Sequence, residues 1–203
     1  KKQEVIDRIA KDDERQRKID AKKHHDEVMA KKHRATLGRH FAQARNDKYL
    51  IEKNIPFQIV NEPFWKRRVE FLKINPAGDL PAVTDEDGIN IIGYECLVEY
   101  LDEKKIGKVL LGNNPIEKLE VRRLSMWVGK KLQKEVMENI LDERVFNSLK
   151  KNSQPSTTIL NAGRKNLKNH MKYFEWILER RSFLAGDFFT VADIALAAAI
   201  SSL

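Results

Sequence analysis

The sequence predicts an α/β unit followed by an all-α unit, and three observations carry that prediction. Residues 41–103 alternate amphipathic stretches with short aromatic or β-branched runs, in the order helix, strand, helix, strand, strand, helix. Gly112-Asn113-Asn114-Pro115 then marks a break in composition. From Ile116 onward apolar residues recur near a period of about 3.6 with no strand signal.

Taken in order, the first unit opens on a helix over Phe41 to Asn54, whose apolar face draws on Phe41, Ala44, Tyr49, Leu50 and Ile51. Asn54 and Pro56 stop it, and Phe57 to Val60 reads as a short strand between turn signals. Asn61-Glu62-Pro63 then resembles a helix start, an Asx cap with a proline in the first turn. The helix it opens turns Trp65, Val69 and Leu72 inward and Lys66, Arg67 and Arg68 to water, and ends at Asn75-Pro76. Ala82 to Thr84 and Ile89 to Ile92 form a hairpin across an Asp-Gly turn, and a helix runs from Tyr94 to Glu103 with Leu97, Tyr100 and Leu101 on one face.

In the second unit Ile116 to Lys151 predicts one long helix, broken at most once, with Leu119, Leu124, Trp127 and Val128 among its apolar positions. Thr157 to Arg181 predicts another, and Trp65, Trp127 and Trp176 are read as core packing residues. Thr190 with Asp193 three residues on resembles a capping box, worth on the order of 1 kcal/mol, with Phe189 before the cap. The last helix is so apolar to Leu203 that the reading expects the chain to continue.

Composition sets outer bounds on function. The 203 residues carry 38 Lys/Arg against 30 Asp/Glu, a net charge of +8. Residues 1–35 hold 12 Lys/Arg and 8 Asp/Glu, so half the excess lies in a charged extension read as an exposed helix or a disordered arm. Basic and acidic residues interleave and no aromatic platform accompanies them, which argues against a nucleic-acid function. The longest apolar run, Ile194 to Ile200, falls far short of the ~20 residues that cross a bilayer, and no secretory leader is visible. A single cysteine, Cys96, rules out an internal disulfide, and the expected setting is cytoplasmic. His24, His25 and His33 lack ligand spacing, so no metal site is expected, and dinucleotide, P-loop, dithiol and zincin motifs are absent.

Three further stretches occur in order: Asn75-Pro76-Ala77-Gly78-Asp79-Leu80-Pro81-Ala82-Val83, then Ile91 through Leu101 with Glu95-Cys96 at its helix start, then Phe183-Leu184-Ala185-Gly186-Asp187 with Thr190 to Asp193. Together they resemble the glutathione S-transferase superfamily over residues 45–203. The resemblance implies a thioredoxin-like N-terminal domain over 36–105 and an all-helical C-terminal domain over 116–203 behind the 1–35 extension. It also implies a cis Leu80-Pro81 bond, and glutathione held by the Leu80 backbone, Pro81, Glu95 and Cys96, the last standing where the family has serine. The run Trp65-x-x-Arg68-x-x-Phe71-Leu72-x-x-Asn75-Pro76-Ala77-Gly78 resembles a bacterial group of transferase-like proteins, some of which the resemblance makes partners of the division GTPase FtsZ.

The family's chemistry needs a thiolate, and a hydroxyl or thiol at the first helix holds it. Here His40 to Arg45 has neither. The sequence therefore favours a binding or scaffold protein, a homodimer as the resemblance implies, with basic residues such as Lys66, Arg67 and Arg68 or the helical-domain arginines meeting an acidic partner. The alternative is a glutathione-dependent transferase whose backbone amides near Ala42 to Arg45 activate the sulfur.

Overall fold

The computed structural model describes residues 14–22, 43–63, 66–144 and 154–203. The three extension histidines and Trp65 lie outside these residues. Helix α1 (14–22) is exposed along its whole length and held by local pairs such as Lys18 on Glu14 at 2.6 Å, which fits its charged sequence.

Helix α2 (43–52) buries a face the sequence did not suggest. Ile51 points to water, while Arg45, Tyr49 and Lys53, spaced by four, are all buried. The polar ends of this row find partners on other elements: the Tyr49 hydroxyl donates to the Val98 carbonyl at 3.3 Å and Lys53 Nζ to the Ile106 carbonyl at 2.8 Å. Burial pushes the Tyr49 phenol up and the Lys53 ammonium down.

Two elements of the sequence reading fail here. Phe57 to Val60 is not a strand: it has no ladder partner among the described residues, and Val60 is 79% exposed. The helix expected from Asn61-Pro63 starts only at Val69, giving α3 (Val69–Ile74), and Val69 faces solvent. Arg68 instead clasps the buried Glu62 through Nε at 3.2 Å and Nη2 at 2.6 Å, and Arg67 takes a left-handed φ of 45°, so the chain turns where a helix was expected. Lys66, Arg67 and Arg68 do face water.

The hairpin forms as read, with β1 (Ala82–Thr84) antiparallel to β2 (Asn90–Ile92), one residue shorter than expected at its second strand. Asp85 accepts from the Ile89 N–H in the turn and from the Tyr100 hydroxyl, tying the turn to α4 (Tyr94–Glu103). The linker after α4 is clamped twice, by Lys53 on Ile106 and by the Val191 N–H on the Leu110 carbonyl at 3.0 Å. Gly107 has φ 67° and a Cβ there would lie 2.5 Å from the Lys53 carbonyl oxygen, so only glycine fits this crossing.

Asn114 caps α5 (Pro115–Met126) by accepting from Ile116 and Glu117, with Pro115 in the first turn. The long helix then continues as a π-helical segment, Trp127–Asp142, whose Val128, Leu132, Val136 and Ile140 are buried. Leu119, expected inside, is exposed because Val121 and Leu124 already fill the inner face of α5. Ser156 caps α6 (Thr157–Leu178), which packs along the π segment; Gly163 lets them meet, since a Cβ there would sit 2.7 Å from Ile140 Cγ1. Thr190 caps α7 (Val191–Ser201) as expected. One apolar core runs from Tyr49 and Leu97 through Leu124 and Leu132 to Phe174 and Ala195, crossing both halves.

The π segment and α6 also share a polar seam. The Trp127 indole N–H donates to Nδ1 of the buried His170 at 3.0 Å, and His170 Nε2 lies 3.1 Å from Glu135. An indole can only donate, so Nδ1 accepts and the imidazole is neutral, donating from Nε2. Burial holds the His170 pKa below its usual 6.5, against the opposing pull of Glu135. The native state thus binds this proton less readily than the unfolded chain. The associated stability is complete above 6.5 and declines as pH falls toward the native value. Urea midpoints should drop as pH is lowered from above 6.5 to below it, and His170→Gln should flatten that drop.

Candidate functional site

The cis-proline turn and the tip of α4 are brought together by backbone chemistry. Asn75 is buried and pins the loop before the proline, its Nδ2 donating to the Asp79 carbonyl at 2.8 Å and its Oδ1 accepting from Ala77 at 3.1 Å. Leu80-Pro81 is cis, as expected. The Gly93 N–H donates to the Pro81 carbonyl at 2.9 Å, continuing the hairpin register of Ala82 opposite Ile92. Leu80 and Pro81 therefore stand beside the residues that open α4, and Glu95 and Cys96 follow in its first turn.

That helix tip is open. Gly93 is its N-cap at φ 88°, no side chain caps it, and a Cβ on Gly93 would meet nothing within 4 Å. The first N–H groups of an uncapped helix favour an anion. Glu95 and Cys96 are both exposed. Of the expected site residues, Leu80, Pro81, Glu95 and Cys96 thus lie at one end of the hairpin.

Sequence reasoning missed the residue beneath them. Arg45 is only 5% exposed; its guanidinium lies 3.7 Å from the Tyr94 ring centroid and its Nη2 donates to Glu95 at 3.2 Å. Gly129 of the π segment makes room for it, since a Cβ there would lie 3.0 Å from Arg45 Nη1. Burial pushes the Tyr94 phenol up to about 12 despite the guanidinium on its ring. The available signal was spacing: Arg45 stands four residues before Tyr49, on the same helical face.

The tip can hold an ammonium at Glu95 and a carboxylate at the helix N–H groups, but nothing in Gln43-Ala44-Arg45 supplies a hydroxyl or thiol to activate sulfur. Among the described residues no cluster of three His, Cys, Asp or Glu could hold a metal, and no helix is long and apolar enough to cross a membrane. A separate open groove of about 590 Å³ lies between α6 and α7, lined by Met171, Phe174, Leu178, Leu196 and Ile200 among others, and none of the expected site residues borders it.

Comparison with known proteins agrees with this architecture. The model of the glutathione S-transferase N-terminal domain matches residues 45–104 and that of the C-terminal domain matches 136–203. FtsZ-localized protein A of Caulobacter vibrioides is 32% identical over 155 residues, 75% of this chain and 68% of that protein. Glutathione S-transferase 2 of Saccharomyces cerevisiae is 26% identical over 162 residues, 74% of this chain and 67% of that protein. Among solved structures, a glutathione S-transferase from Rhodospirillum rubrum superposes with TM-score 0.73 at 34% identity, covering 81% of this chain and 74% of the other. FzlA from C. crescentus superposes with TM-score 0.68 at 32% identity, covering 81% and 72%. With a cis-proline hairpin, an open α4 tip and a capped helical bundle in the matched order, the chain belongs to the glutathione S-transferase superfamily.

Proposed function

We propose that this chain is a binding or scaffold member of the superfamily, acting in the cytoplasm as a partner of FtsZ, and not an active transferase. The observation that carries the reading is the start of α2, where Gln43-Ala44-Arg45 offers no hydroxyl or thiol to hold a thiolate. At the cis-proline edge Cys96 replaces the stronger hydrogen-bonding hydroxyl, and Glu95 faces the Arg45 guanidinium of its own chain. The name of the Caulobacter relative, similar over three quarters of this chain, supports FtsZ as the partner.

The same reading makes the chain a homodimer. Ile116, at 80% exposure, lines up with the exposed Leu119 and Met126 at helical spacing on the outer face of α5, an apolar row suited to a second copy.

A second reading, glutathione conjugation to an electrophile, draws on the uncapped helix tip and the cis-proline edge, and relatives named glutathione S-transferase favour it. In it Leu80 supplies backbone hydrogen bonds, Pro81 shapes the edge, and Glu95 and Cys96 hold the γ-glutamyl end. Glutathione calorimetry decides between them, run beside co-sedimentation with polymerised FtsZ. The scaffold reading expects no heat below the millimolar range and pelleting with FtsZ. Micromolar binding that Glu95→Ala abolishes, with turnover of an aryl halide and no pelleting, overturns it.

A further inference from the structure

Trp176, expected in the core, is 53% exposed, and its surroundings hold it rigid. The Trp127 and Tyr173 rings stack at 4.6 Å and 23°, Tyr173 and Trp176 lie parallel within 12° at 6.3 Å, and the Arg180 guanidinium sits 4.6 Å over the Trp176 ring. The inner end of this ladder is fixed by the Trp127 bond to His170, and its middle by Arg123, which donates to the Tyr173 hydroxyl at 3.1 Å. The outer end is an aromatic face already ordered before anything binds, so a partner would lose little freedom in using it.

The charges around the ladder select the partner. Arg123 and Arg181 share one carboxylate, Glu120, at 2.8 Å and 2.7 Å, which leaves an excess positive charge. The two guanidinium groups hold that carboxyl well below its usual range, down to about 2, so it stays an anion and the count stands at neutral pH. Among the described residues Arg180 forms its ion pair with its exposed neighbour Glu179 at 3.0 Å, a contact readily exchanged for another carboxylate, while its Nη1 also donates to the Trp176 carbonyl at 2.7 Å. Lys172, exposed and four residues before Trp176, adds a further cation on the same side of α6. Among the described residues, Arg123, Arg180, Arg181 and Lys172 thus set four cations about the ladder against the carboxylates of Glu120 and Glu179 and the exposed Glu175 beside Trp176.

We infer that the Tyr173–Trp176 ladder with its arginine rim is a docking surface for an acidic peptide segment of a partner protein, which lays an apolar or proline side chain on Trp176 and its carboxylates on Arg180, Arg181 and Lys172. This deepens the scaffold reading, on which it rests, by assigning the helical-domain surface that meets the partner. A nucleic acid fits less well, because the acids interleave with the arginines and one exposed ring gives no track for successive bases.

The test is fluorescence anisotropy on the full chain with a short labelled peptide of Asp, Glu, Leu and Pro, beside the same peptide with Lys for the acids and a labelled oligothymidylate. The acidic peptide should bind, the basic one should not, and added salt should weaken binding. Trp176→Ala and Arg180→Glu should each weaken it about tenfold or more with thermal midpoints unchanged. Equal binding by wild type and Trp176→Ala overturns the proposal, as does tighter binding of oligothymidylate or no binding of the acidic peptide. Co-sedimentation separates this from the scaffold reading. Peptide binding lost in Trp176→Ala while wild type fails to pellet with FtsZ upholds the surface and defeats that partner; pelleting by wild type and Trp176→Ala alike, with peptide affinity unchanged, defeats the surface and keeps the partner.

Discussion

Asp193→Ala should destabilise the chain by about 3 kcal/mol, well beyond an ordinary helix cap. One oxygen of Asp193 accepts from both the Thr190 N–H and the Thr190 hydroxyl at 2.9 Å, and the other accepts from the Leu184 N–H at 2.9 Å. Thr190 is fully buried, so water cannot replace these bonds. Alanine would leave two backbone donors and a hydroxyl without partners, each costing about 1 to 3 kcal/mol, softened by relaxation. The capping box alone suggests about 1 kcal/mol; the third bond, to the turn before α7, raises it. Urea unfolding measures the loss, and Asp193→Asn, which keeps one acceptor, should recover part of it. A loss under 1 kcal/mol would show that the turn at Leu184 finds other partners.

Arg45→Ala should cost about 2 kcal/mol, and the source of that cost is testable. A guanidinium on a buried ring is worth about 2 kcal/mol, whereas an ion pair whose carboxylate is 73% exposed contributes little. Arg45→Lys should rescue poorly, because an ammonium cannot lie flat on Tyr94 while reaching Glu95. A double-mutant cycle of Arg45→Ala with Glu95→Ala should return a coupling of about 0.5 kcal/mol or less. A coupling near the full 2 kcal/mol would mean that the carboxylate, not the ring, holds the arginine.

What the sequence revealed about this fold was what local chemistry decides. The Asp-Gly hairpin, the bounds of Tyr94–Glu103, the break at Gly112 to Pro115 and the Thr190 box each depend on residues within a few positions of one another. The Asn75 to Pro81 segment was legible as a motif, though not the buried Asn75 side chain that pins it. What stayed hidden depends on distant neighbours. Arg45 and Lys53 are buried because Tyr94, Glu95 and Ile106 come from elsewhere to receive them, and a helical period counts both as solvent-facing. Phe57 to Val60 has the composition of a strand but no ladder partner among the described residues. Trp176 looked like core for the same reason: periodicity ranks apolarity, and an indole braced between a tyrosine and an arginine satisfies it at the surface.

The two clamps on the linker change what severing the chain would do. Lys53 holds the strap from the first half and Val191 grips it from the second, with the same apolar interior running beneath both. Splitting the molecule near Leu110 would strip cover from Leu97 and Leu101 on one side and Val121 and Leu124 on the other. Neither fragment would keep a sealed interior, so heating or denaturant should melt the halves in one concerted step.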